Sequence, residues 1–141
     1  MTPITQGGSV TWNISRLYVE EPAGAIAPAE VLSGANPFEV KVDFSGSGAA
    51  WTVFEMSGTA YTANFHFERL GGAGSGVGTP EYDSPAVPGT LGPVATATYT
   101  AAHTVPANTL TPGVYRLSCL IDMGPGSGVI GFEEGLVISV S

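Results

Sequence analysis

Alternation of apolar and polar side chains runs through most of this chain and predicts strands rather than helices. The cleanest case is Phe38–Phe44, where Phe38, Val40, Val42 and Phe44 share one face and Glu39, Lys41 and Asp43 the other. A slip of one residue would bury three charges, so its register is firmly set. Tyr61–Arg69 repeats the pattern, with Tyr61, Ala63, Phe65 and Phe67 against Thr62, Asn64, His66 and Glu68. Between Ser9 and Glu21 the apolar set starts as Val10, Trp12 and Ile14, then changes phase to Leu17 and Val19. Such a switch predicts a bulge or a strand that crosses between sheets.

The strongest signal lies in Leu110–Ile121. Pro112 fixes φ, Gly113 accepts a tight corner, and the following strand points Tyr115, Leu117, Cys119 and Ile121 one way. Val114, Arg116, Ser118 and Leu120 point the other way, as expected of a central strand. Further strands are expected over Ala50–Met56, joined to Tyr61–Arg69 by a hairpin at Ser57-Gly58-Thr59, over Val94–Ala101 near a sheet edge, and over Gly135–Val140. Met1–Gly8 reads as a flexible lead, Glu21–Asn36 as a proline-punctuated connector, and Leu70–Pro93 as a long irregular loop rich in glycine and proline.

Length and composition narrow the class. The 141 residues suit one domain with a real core, and no internal repeat is evident. Charged residues are 11%, under half the usual share, so the surface must be covered by Thr, Ser, Gly and Ala or by other protein. The net charge is −8, and Arg16, Lys41, Arg69 and Arg116 are the only basic side chains. Four dispersed cations cannot neutralise a run of phosphates, which excludes nucleic acid as the expected partner. The same scarcity disfavours anionic membranes, and no apolar run approaches the roughly 20 residues of a membrane span, so no membrane insertion is expected. Protein partners remain. No charged-then-apolar leader opens the chain; the compartment stays open, and the composition is compatible with an extracellular or particle-associated protein made in the cytoplasm.

About seven strands with almost no helix predict an all-β, antiparallel β-sandwich. Trp51 on the third strand, Tyr115 after the Leu-x-Pro-Gly corner, and the strand count resemble the immunoglobulin or fibronectin type III superfold. That resemblance implies a tyrosine-corner role for Tyr115, whose hydroxyl would bond back to the backbone of the corner. Cys119 departs from antibody domains: it lies four residues after Tyr115 rather than two and has no partner cysteine. The resemblance implies architecture, with Trp51, Pro112, Gly113, Tyr115, Leu117 and Cys119 as structural positions, and no particular function.

Chemistry-bearing patterns are sparse. No serine sits in a Gly-x-Ser-x-Gly elbow, and the Gly71–Gly78 tract has neither dinucleotide-binding spacing nor a Lys-Ser/Thr ending. Cys119, the single cysteine, reads as a small buried hydrophobe, and no disulfide or thiolate cluster can form within the chain. His66 and His103, the only histidines, would have to converge with a carboxylate to hold a catalytic zinc, and their placement predicts otherwise. Glu81-Tyr82-Asp83 offers two carboxylates where calcium wants six or more oxygens, so it reads as a solvated loop. Asn13-Ile-Ser15 is formally a glycosylation sequon but falls within a strand. Trp12, Tyr18, Tyr61 and Tyr82 would make a sugar platform if exposed together, yet their registers place them mostly in the core.

The expectation is therefore a non-enzymatic, cofactor-free structural subunit that self-associates or decorates a larger assembly such as a filament, sheath, capsid or surface layer. One lysine in the whole chain leaves sheet edges unguarded. Strand addition is expected through the lead (Thr2, Pro3, Ile4) and the Thr/Ala-rich strand (Thr96, Thr98, Thr100). The alternative is a carbohydrate-binding module using the Leu70–Pro93 loop and exposed aromatics, Tyr82 above all.

Overall fold

The computed structural model describes residues 4–6, 10–20, 31–71, 81–123 and 130–141. In chain order the elements are β1 (Ile4–Gln6), β2 (Val10–Glu20), β3 (Val31–Leu32), β4 (Phe38–Ser47), α1 (Ala49–Ser57), β5 (Ala60–Gly71), β6 (Glu81–Asp83), β7 (Val87–Thr90), β8 (Tyr99–Val105), β9 (Gly113–Asp122) and β10 (Ile130–Val140). They form two sheets. One runs β1-β2-β4-β8; the other runs β3-β10-β9-β5-β6, with β7 also paired to β5. All pairings are antiparallel except β3 with β10. The result is an all-β, two-sheet architecture consistent with a β-sandwich.

The inward faces meet in one apolar cluster. Phe38, Val40, Val42 and Phe44 from β4 pack against Tyr61, Phe65 and Phe67 of β5 and Tyr115, Leu117, Cys119 and Ile121 of β9, all of them buried. Edge-to-face pairs tie the sheets together: Phe38 with Phe67 at 6.0 Å and Phe44 with Tyr61 at 5.1 Å between ring centroids. The phase change in β2 is a break in register between Ile14 and Arg16 opposite β4, which keeps Trp12, Ile14, Leu17 and Val19 all buried. Gly131 of β10 makes room for Trp12, since a Cβ there would lie 1.8 Å from the indole.

Four expectations need correction. The strand over Ala50–Met56 is instead α1, and Ser57-Gly58-Thr59 is its C-cap rather than a hairpin. Trp51 and Glu55, four residues apart, are buried while Val53 and Met56 are exposed, which is a helical period. Gly58 takes the left-handed conformation (φ 61°), and the Thr59 N–H closes on the Phe54 carbonyl at 3.0 Å. Trp51 still belongs to the core, delivered from a helix: its ring covers Gly46, where a Cβ would sit 2.3 Å away.

The loop expected over Leu70–Pro93 is in part a continuation of the second sheet. Its beginning extends β5 to Gly71, and β6 and β7 pair with that strand; residues 72–80 lie outside the described residues. Pro88 is tolerated because β7 is an edge strand.

The Thr/Ala strand starts five residues later than Val94, at Tyr99. Before it, the Pro93 carbonyl accepts from the Thr96 N–H at 3.2 Å and Ala95 takes a positive φ of 68°, so the chain turns there and Thr96 and Thr98 precede the strand. Glu55, 6% exposed, anchors this turn to α1 by accepting from the Tyr99 hydroxyl at 2.5 Å and the Ala95 N–H at 3.3 Å. Finally, part of the lead is ordered: Ile4–Gln6 fold back on Val10–Trp12 as β1. Thr2 and Pro3 lie outside the described residues.

Candidate functional site

β9 is flanked on both sides, by β10 and β5, and its alternation gives the second sheet a covered and an open face. Register assembles the open face in rows. Phe132, Leu120 and Asn64 stand side by side on β10, β9 and β5; the next row is Glu134, Ser118, His66 and Asp83, reaching β6. The row beyond holds Val137, Arg116 and Glu68, where the Arg116 guanidinium donates to Glu68 at 2.7 Å.

Between the first two rows lies a groove of about 290 Å³. Phe132 is 54% exposed and Leu120 39%, so the groove has an apolar wall, while Asn64, His66, Asp83 and Ser118 supply polar groups. His66 Nδ1 is in close contact with Asp83 Oδ1, which fixes the ring and leaves Nε2 for another partner. Ser84 is occupied by the backbone: its Oγ accepts from the Phe65 N–H at 2.9 Å and donates to the Pro85 carbonyl at 2.9 Å.

Asp83, His66 and Ser118 have the composition of a nucleophilic triad, but the arrangement lacks its working parts. Among the described residues, Ser118 makes no hydrogen bond to the imidazole. The amides around it belong to a strand paired on both sides, so none is held free for an oxyanion. A second depression, about 310 Å³, lies beside Leu110, Thr111 and Pro112 and is lined by no titratable side chain.

The two histidines do not converge. Tyr82 and Asp83 are neighbours in β6 and face opposite ways; Asp83 meets His66 on the open face, whereas Tyr82 turns to the edge between the sheets. There it packs on Phe67 and stacks on His103 of β8, with 2.7 Å between its hydroxyl and His103 Nε2. This pair bridges β6 of one sheet and β8 of the other. Burial lowers the His103 pKa and raises that of Tyr82. Tyr82 is thus a clasp at the edge of the core rather than an exposed platform, and Trp12, Tyr18 and Tyr61 are buried. The exposed aromatic is Phe132, which the sequence reading missed by starting the last strand at Gly135. The sequence carries no signal for it, since Gly131-Phe132-Glu133-Glu134 puts a glutamate on each face of the strand.

The remaining positions sort as follows. The Tyr115 hydroxyl, fully buried, donates to the Thr111 carbonyl at 2.7 Å and lies 3.0 Å from Thr111 Oγ1, binding the Pro112-Gly113 corner to β9. Cys119 is buried and its thiol is pushed up to about 12, by desolvation first and the Glu133 charge second, so it is not a nucleophile at neutral pH. Thr100 is exposed on β8 and donates to Asp43 at 2.7 Å. β8 is a sheet edge: among the described residues it pairs only with β4, and Tyr99–Val105 contains no Lys, Arg, Asp or Glu. No cluster of three metal-ligating side chains and no helix long and apolar enough to cross a membrane occurs among the described residues.

No protein-family model matches the chain, and no curated protein matches its sequence.

Proposed function

We propose that this protein is a non-enzymatic interaction subunit of immunoglobulin-like architecture that adds its β8 edge to a copy of itself or to a larger protein assembly. The architecture is supported by strand order. The order β2-β4-β8 opposite β10-β9-β5, with β6 and β7 beyond β5, is what the A-B-E and G-F-C sheets of such domains would require, and the Tyr115–Thr111 hydrogen bond supports a tyrosine-corner role. The helix α1 between the B-like and C-like strands is an addition to that plan.

The observation that carries the functional reading is the β8 edge. Among the described residues no strand beyond β4 pairs with β8, although Tyr82 stacks on His103 there; such an edge offers a row of backbone donors and acceptors to a further strand, and domains usually guard such rows with lysine, proline or an inward charge. β8 has none of these across seven residues, and its outward Thr100, Ala102 and Thr104 are small enough to admit a neighbouring strand. The β1 lead is a poorer donor than the sequence suggested, because Ile4–Gln6 already pair with β2 at the opposite edge of the same sheet.

Thr104→Lys tests this reading. Thr104 is exposed and stands opposite Glu39, so an ammonium there gains a cross-strand partner and leaves the monomer folded. It should shift association toward monomer, read by light scattering. Unchanged association of a folded Thr104→Lys protein would remove β8 as the contact.

A further inference from the structure

We propose that the groove on the open face of the second sheet binds a neutral saccharide, its apolar ring face resting on Phe132 and Leu120 and its hydroxyls bonding Asn64, His66, Asp83 and Ser118. This binding site is separate from the β8 edge and lies on the other sheet.

The composition of the groove selects the ligand. Phe132 and Leu120 are directly paired across β10 and β9 and both are exposed, giving a short apolar strip instead of the broad patch that a lipid or a protein core contact requires. A pyranose presents such a narrow C–H face, which an aromatic ring accepts. Beside the strip the polar groups offer both hydrogen-bond senses. The Asn64 amide donates and accepts, the Ser118 hydroxyl does the same, His66 Nε2 accepts while Nδ1 holds Asp83, and the second Asp83 oxygen accepts. Sugar hydroxyls need that mixture, since each is donor and acceptor at once. Among the described residues, the Asn64 and Ser118 side chains have no hydrogen-bond partner and are free to serve a ligand.

Charge disfavours an anionic competitor. An anionic ligand would meet the Asp83 carboxylate on a chain of net charge −8. The volume, about 290 Å³, sits at the lower end of the range for small-molecule sites. Four of the six side chains stand on paired central strands, so the site is preformed and little ordering cost attends binding.

The test is an array of immobilised neutral and acidic oligosaccharides probed with the labelled full chain, followed by calorimetric titration of each retained glycan. Neutral glycans should be retained. Phe132→Ala and Asn64→Ala should each weaken binding about tenfold or more, with far-UV circular dichroism and melting temperature unchanged. Silence across the array would overturn the proposal, as would retention of acidic glycans alone or full binding by both variants. Neither variant touches β8, so each is compared with the wild type at the same association state.

Discussion

Replacing Tyr115 by Phe removes one oxygen from the best-buried polar contact of the domain and leaves the ring in place. In the native protein that hydroxyl donates to the Thr111 carbonyl at 2.7 Å and lies 3.0 Å from Thr111 Oγ1, with Tyr115 0% and Thr111 7% exposed. Without that donor the Thr111 carbonyl loses its hydrogen-bond partner. Deleting one side of a buried hydrogen bond costs about 1–3 kcal/mol, and because the ring remains, the cavity contribution is small. At about 2 kcal/mol the folded-to-unfolded ratio falls roughly thirtyfold, and for a domain of this size the melting temperature drops by about 4–8 °C. Urea unfolding followed by tryptophan fluorescence reads the change; the slope with denaturant should stay at its wild-type value while the midpoint falls. Combining the substitution with Thr111→Val should give less than the sum of the two losses, since both act on one contact. A Tyr115→Phe protein within about 0.5 kcal/mol of wild type, the scatter of ordinary surface changes, would refute the corner as a stabilising device.

Two other perturbations follow from the same geometry. Gly131→Ala places a methyl 1.8 Å from the buried Trp12 indole and should cost about 1–3 kcal/mol or more, partly restored by Trp12→Phe; a wild-type urea midpoint would contradict the packing. Burial beneath Tyr82 holds the His103 pKa below its unfolded value, so the unfolded chain takes up the proton more readily. The stability from neutral His103 is complete above the unfolded pKa near 6.5 and declines as pH falls through it toward the lower folded value. His103→Gln should flatten that decline between neutral pH and the onset of carboxylate titration; an identical slope in both proteins would show that the clasp does not titrate as described.

What the sequence made legible was decided by how far each residue's partners lie along the chain. In β4, β5 and β9 strict alternation over seven or more residues fixed face and register: Phe38, Val40, Val42 and Phe44, and Tyr115, Leu117, Cys119 and Ile121, are buried as the pattern requires. Ala50–Met56 was misread because a short apolar run fits two periods equally well, and the deciding contacts, Trp51 on Gly46 and Glu55 on Tyr99, are tertiary. The β8 boundary failed for a similar reason: Thr and Ala continue upstream of Tyr99 without a break, and the turn at Ala95 is held by Glu55, 40 residues away. The groove was hidden altogether. Its side chains come from four strands, and only the pairing of Leu120 with Phe132 and of His66 with Ser118 and Asp83 brings them together. Each alone reads as an ordinary outward residue.

Association through the β8 edge is read out by light scattering coupled to size-exclusion chromatography over a wide concentration range. The wild-type chain is expected to form ordered oligomers or fibres that grow with concentration and are dispersed to monomer by Thr104→Lys. A wild-type protein that stays monomeric at every concentration would contradict association through β8.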